Sequence, residues 1–155
     1  MMAALEIRPM GAEDIPRVLD LERRTQEAPH WDPAAYEGFR DDAGRAGTVR
    51  KAAWVALEMA ELVGFAAVQL ILDVCDLESI FVVESRRGQG VGHALFATAA
   101  AWARDQGAGR LQLEVRSGHR AAVRFYERAG MRREGVRPGY YRAPDEDALL
   151  MGLDF

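Results

Sequence analysis

The sequence has a single cysteine, Cys75, so no internal disulfide can staple the fold. That usage suits a reducing compartment, and the cytoplasm is the expected location. Cys75 is also a poor candidate nucleophile, because Asp73 and Asp76 flank it and nearby acids raise a thiol's pKa. A buried, inert role is expected for it. Long hydrophobic runs are missing too: none reaches the roughly 20 residues that a membrane span needs. The alanine-rich stretch 94–103 is too short and reads as a packed helix. The first residues, 1–8, lack a basic start followed by an apolar run, so no secretory signal is read there. Basic charge is not in excess. Twenty Lys and Arg stand against 24 Asp and Glu, a formal charge of −4, which argues against a nucleic-acid partner. His30, His93 and His119 are scattered without metal-ligand spacing, so no metal is expected. There is no repeat, no low-complexity segment and no linker, so residues 1–155 are expected to form one domain.

What remains is an ordinary globular balance, with 49% hydrophobic and 28% charged residues over a length that can bury a core. Residues 4–9 read as a first strand. Residues 12–25 carry apolar side chains at helical spacing, with Ile15, Val18, Leu19 and Leu21. Asp32-Pro33 is a helix start, Asp as N-cap and Pro at the first helical position, for a helix running to about residue 42. Residues 44–48 read as loop. Strands are expected at 52–58, 62–72 and 77–83, the first two joined by a tight connection at 59–61. A glycine-rich turn follows, then a helix over 90–106, a strand over 110–115 and a helix over 120–129. Residues 131–136 and 148–154 read as the last strands. Strands and helices do not alternate strictly. The expected class is therefore α/β with a mixed, largely antiparallel sheet of six to seven strands and about four helices.

The sharpest local signal is Arg86-Arg87-Gly88-Gln89-Gly90-Val91-Gly92, between a strand and a long helix. Alternating glycines let the backbone turn tightly and approach a ligand. The helix that follows has free amide N–H groups and a partial positive charge at its start, a combination that holds phosphate. A dinucleotide fingerprint is excluded, because His93 stands where its last Gly belongs, and a P-loop is excluded because Gly-Lys-Ser/Thr is missing.

This strand, turn and helix resemble the acetyl-CoA motif of the GNAT acetyltransferases, Arg/Gln-x-x-Gly-x-Gly/Ala, with Arg87, Gly90 and Gly92 at its defining positions. The resemblance implies that acetyl-CoA is the cosubstrate. Its pyrophosphate would lie on the turn residues Arg87, Gly88, Gln89, Gly90, Val91, Gly92 and His93, and its pantetheine arm along Ile80, Val82 and Val83. The second half is similar to ribosomal-protein-alanine N-acetyltransferases of the RimI type: Leu113-Glu114-Val115-Arg116, the helix Ala121-Ala122-Val123-Arg124-Phe125-Tyr126, the pair Tyr140-Tyr141, and Glu146-Asp147-Ala148. That family's Ser-Asn reads Gly118-His119 here, so His119 stands where its Asn contacts the pantetheine and caps a helix. Its Gly-Phe reads Gly130-Met131.

The resemblance also assigns chemistry. Glu114 takes the place of the proposed base, acting through water, and Tyr126 that of the acid which protonates the leaving thiolate. A surface Glu pairing with Arg116 or another cation, and a Tyr that merely packs, are the plain alternatives. An amide N–H near Val82 would hold the oxyanion. Tyr140 and Tyr141, read as loop residues beside Pro138 and Gly139, would line the acceptor slot, with Glu78 facing the same region. The implied acceptor is a protein N-terminal amine, plausibly an alanine on a ribosomal protein. A small-molecule amine, or a coenzyme-A-binding regulator without turnover, are the alternatives. No nucleic-acid or membrane partner is expected, and the oligomeric state is not legible.

Overall fold

Two strands set the architecture because they are apolar on both faces. β2 (Val49–Glu58) and β3 (Glu61–Ile71) have long buried runs with little alternation, the pattern of strands covered on both sides. They form a hairpin through Met59 and Ala60, both with positive φ, the geometry of a type I′ turn. β1 (Leu5–Pro9) pairs antiparallel with β2, and β4 (Val74–Val82) antiparallel with β3. β5 (Arg110–Arg116), β6 (Arg132–Tyr141) and β7 (Glu146–Asp154) complete a seven-stranded sheet of order β1-β2-β3-β4-β5-β7-β6. Among the described residues, only the β4–β5 contact is parallel. The structure, a computed structural model, describes residues 4–24, 31–41 and 49–155. The loop expected at 44–48, His30, and the helix ends at 25 and 42 lie outside the described residues.

Among the described residues, four α-helices cover the sheet. α1 (Ile15–Arg23) and α2 (Pro33–Asp41) lie against one face, with Val18, Leu21, Tyr36 and Phe39 packed on Val55, Phe65 and Phe81. α3 (Val91–Asp105) and α4 (Arg120–Arg128) lie against the other, where Val91, Leu95, Ala99 and Val123 meet Trp54, Ala66, Leu77 and Leu111. Asp32 caps α2 as expected, its Oδ1 accepting the amide of Ala35 at 2.9 Å. The helix expected from residue 12 instead opens with a tight 3-10 turn, Ala12–Asp14. There the fully buried Asp14 accepts Arg8 Nη1 at 2.6 Å, Arg8 Nη2 at 2.9 Å and the amide of Gly11 at 2.7 Å. Cys75 is buried as expected. Burial, then Asp76 and Glu78, push its thiol up to about 12.

One feature of the sheet builds the site. β4 and β5 pair only at Val74, Cys75 and Asp76, opposite Arg110, Leu111 and Gln112. Beyond that point they diverge. The divergence starts at a β-bulge: Leu77 pairs with Val68 and Ser79 with Ala67, so Glu78 is an extra residue with no partner on β3. A bulge bends its strand and interrupts the ladder. Past it, the amide of Val83 donates to Val63 O at 2.9 Å. Backbone groups alternate along a strand, so those of Ile80 and Val82 turn toward the open side.

The strand expected at 131–136 runs on to Tyr141. Tyr140 and Tyr141 therefore sit in β6 and not in a loop. Pro138 and Gly139 are tolerated because β6 is the sheet's outer strand, and the ladder slips between Arg137 and Tyr141.

Candidate active site

Two cavities are met in turn along β4, the first of them in the notch between β4 and β5. Asp76, Leu77 and Glu78 line the first, and Ile80, Phe81 and Val82 the second.

The second cavity, of about 450 Å³, lies between β4, the glycine turn and α4. Of the residues that the resemblance assigned to the cofactor, Ile80, Val82, Arg87, Gly88, Gly90, Gly92, His93 and His119 line it. The side chains of Val83, Gln89 and Val91 do not, although the Val91 amide stays at the helix start. The amide of Val83 is spent on Val63, the Gln89 side chain turns back to Ser85 O at 3.3 Å, and the Val91 side chain is buried in the core. Gly90 is the N-cap of α3 with φ of 90°. The helix's first bond runs from the amide of Ala94 to Gly90 O, so the amides of Val91, Gly92 and His93 have no intrahelical partner. Arg87 Nε donates to Val82 O at 3.1 Å and so ties the turn to β4. Arg86 pairs with Glu58 at 3.4 Å.

α4 supplies a wall that the sequence reading missed: Ala121, Ala122, Phe125 and Arg128. Their signal was there, because with Tyr126 they recur at the three- and four-residue spacing of one helix face. A Cβ on Gly92 would lie 3.1 Å from the Phe125 ring, so only a glycine lets this wall approach α3 so closely. His119 starts α4, its Nδ1 accepting the amide of Ala122 at 3.3 Å.

The first cavity, of about 590 Å³, opens between β4, β5 and the β6–β7 hairpin. All four residues expected on the acceptor side line it: Glu78, Glu114, Tyr140 and Tyr141. So do Asp76, Gln112, Glu134 and Arg137, which were not foreseen because they come from three separated strands. Glu114 pairs with Arg137 at 3.1 Å, and not with Arg116, which turns to Glu146. A hydrogen bond with Glu114 raises the Tyr140 phenol above its ordinary range. Burial, then Glu114, raises that of Tyr141. Glu78 is pushed up by burial first and by Asp76 next, with Lys51 opposing. Gln112 Nε2 holds Asp76 Oδ1 at 2.8 Å.

Tyr126 stands where the two cavities approach each other. It lines the second, and its phenol is pushed above the usual range by burial and then by Tyr141, which lines the first. Its ring packs on Phe125 and Phe96 at 5.3 and 6.5 Å between centroids. The arrangement offers a carboxylate on one side, a protonated phenol on the other, and an open strand edge linking them. Among the described residues, no group of three His, Cys, Asp or Glu is placed to hold a metal, and no helix is long and apolar enough to cross a membrane.

Known proteins share this plan. The chain is 29% identical over 149 residues to the ribosomal protein bS18-alanine N-acetyltransferase of Escherichia coli K12, covering 95% of each. It is 33% identical over 135 residues to the streptothricin acetyltransferase of Streptomyces lavendulae, covering 79% of this chain and 71% of that one. The solved structure of the ribosomal-protein-S18-alanine N-acetyltransferase from Escherichia coli matches with a TM-score of 0.80 at 25% identity, over 97% of this chain and 94% of that one. Residues 15–131 match the model of the acetyltransferase (GNAT) family. The chain therefore belongs to the GNAT family and is an acetyl-CoA-dependent N-acetyltransferase.

Proposed function

We propose that this enzyme acetylates the α-amine of a protein N-terminus, with an N-terminal alanine on a ribosomal protein as the acceptor class, acting in the cytoplasm as a single domain. The observation that carries the reading is the placement of Glu114, Tyr140 and Tyr141 around one cavity that runs along β4 toward Tyr126. A match over 95% of both chains to an enzyme named for an N-terminal alanine acceptor supports it.

The residues present fit acetyl-CoA. The free amides at the start of α3 suit its pyrophosphate. The open edge at Ile80 and Val82 suits an extended amide-bearing arm, and Gly88 and Gly90 leave open space where a Cβ would sit. Bound there, acetyl-CoA supplies the activated acetyl thioester. The amide of Val82 is turned to the side where it can hold the carbonyl oxygen as negative charge develops. Glu114 accepts the proton of the attacking amine through a water. A peptide α-amine titrates at about 7.7–8.0, so a modest base suffices. Tyr126 donates its proton to the departing sulfur. Burial disfavours the charged phenolate, so the proton is present when needed. Tyr140 and Tyr141 wall the acceptor slot, and Glu78 meets a basic group on the acceptor.

A second reading, a small-molecule amine, draws support from the match to streptothricin acetyltransferase and from the acidic lining of the first cavity. The test is a panel with acetyl-CoA: a peptide with a free N-terminal Ala, the same peptide with that amine blocked and an internal Lys, and a small diamine. Acetylation of the first alone supports the proposal. Acetylation of the diamine alone favours the second reading, and acetylation of the internal Lys alone sinks both.

A further inference from the structure

Arg116, the last residue of β5, takes no part in the chemistry, yet its guanidinium is held by several groups at once. Its Nη1 donates to Pro144 O at 2.9 Å and to Glu146 Oε1 at 3.3 Å, and its Nη2 to Arg142 O at 3.0 Å. Its guanidinium lies 4.5 Å from the centroid of the Tyr141 ring, which lines the acceptor cavity. The other oxygen of Glu146 accepts the amide of Gly118 at 2.6 Å. Gly118 directly precedes His119, the cap of α4, and α4 carries Ala122, Phe125 and Tyr126 to the cofactor cavity. A Cβ on Gly118 would collide with the Glu146 carboxylate, so the glycine is what admits this contact. The amide of His119 also donates to Arg116 O at 3.0 Å, which closes the turn.

We propose that Arg116 and Glu146 are positioning residues, a brace that sets the acceptor wall at Tyr141 and the start of α4 as one unit. Disturbing the brace then weakens acetyl-CoA and acceptor together, although neither residue lines the cofactor cavity. The inference rests on the family's activity and not on the identity of the acceptor. Lysine cannot replace Arg116. A planar guanidinium makes several directed bonds and stacks on a ring at once, whereas an ammonium is a point charge on a flexible stem. Glu146 joins the two halves because one oxygen faces Arg116 and the other faces Gly118.

The test uses the full chain with Arg116→Lys, Glu146→Gln and the double variant. Acetyl-CoA affinity is measured by calorimetry, kcat and KM with the Ala-starting peptide, and the melting temperature alongside. Arg116→Lys is expected to weaken acetyl-CoA about fivefold and to raise the peptide KM by about as much, with kcat changed less. The double variant should fall short of the product of the two single effects, because contacting residues in one network are not additive. Should Arg116→Lys fail to fold, Glu146→Gln carries the same comparison. Acetyl-CoA affinity within about twofold of wild type in every folded variant overturns the brace, even where the melting temperature drops. If the wild type leaves the peptide untouched, the acceptor proposal fails, and the acetyl-CoA measurements still decide the brace.

Discussion

The imidazole Nδ1 of His119 accepts the amide of Ala122 at 3.3 Å, so the helix carrying Tyr126 starts on a histidine. Accepting at Nδ1 places the ring proton on Nε2. Caps are usually oxygens from Ser, Thr, Asp or Asn, and losing one costs about 1 kcal/mol. His119→Ala is therefore expected to lower stability by about 1 kcal/mol in urea denaturation, and His119→Asn to recover most of that. Equal losses in both variants would mean that the cap contributes nothing.

The glycine turn gives a test that separates backbone strain from blockage. At Gly90 a side chain meets no protein atom but must adopt a φ of 90°, whereas at Gly92 a Cβ lies 3.1 Å from Phe125. Acetyl-CoA should raise the melting temperature of the wild type, as any ligand of the folded state does. Gly90→Val should lower the melting temperature of the free protein by strain and also lose the ligand shift. Gly92→Val should push Phe125 into the cavity and lose the shift. A full shift in both variants would place the cofactor elsewhere.

Tyr126→Phe keeps the ring contacts with Phe125 and Phe96 and removes only the hydroxyl. A turnover drop of about 10²-fold is expected, with acetyl-CoA affinity little changed. Because the phenol is held above its ordinary value, no alkaline loss of activity from Tyr126 should appear below about pH 10. Glu114→Gln should also lower turnover, and its deficit should shrink as pH rises and free amine becomes abundant. Near-wild-type turnover of Tyr126→Phe, under conditions where chemistry limits the rate, would make Tyr126 a packing residue.

Acid stability should depend on the buried Asp14. Its hydrogen bonds with Arg8 hold the carboxyl below the usual range, against the opposing effect of burial. A carboxyl lowered in the folded state stabilises above its unfolded value, about 3.9, and that contribution is lost as pH falls through the folded value. Asp14→Asn should cost about 2 kcal/mol at pH 7, less than a fully buried pair because Arg8 is partly exposed. The cost should fade toward pH 2. A deficit independent of pH would point to packing instead.

Much of the plan was legible because it is local. The glycine turn, the cap at Asp32, and the apolar runs of β2 and β3 each announce themselves within a few residues, whereas the cap at His119 was implied only by the resemblance. The first cavity was legible only in part. Asp76, Gln112, Glu134 and Arg137 reach it from β4, β5 and β6, and nothing within any one segment relates them. Pro138 and Gly139 pointed to a loop. The sheet order puts β6 outermost, where a missing amide donor costs nothing, so the strand runs through them. Which cation pairs with Glu114 was left open for a similar reason. Two residues apart on β5, Arg116 was the obvious cation, while Arg137 comes from a strand that is not hydrogen-bonded to β5 at all.

The unpartnered residue at Glu78 makes a deletion more telling than any substitution. Removing it would bring Leu77 and Ser79 into an unbroken ladder with Val68 and Ala67 and straighten β4. A straight β4 could run on beside β5 and fill the notch with backbone hydrogen bonds. Such a chain would gain sheet and lose its catalyst, a local case of the trade-off between stability and activity. At this strand the sequence that catalyses is therefore not the most stable one: on the proposed reading, acetyl transfer needs the gap that a more stable sheet would close.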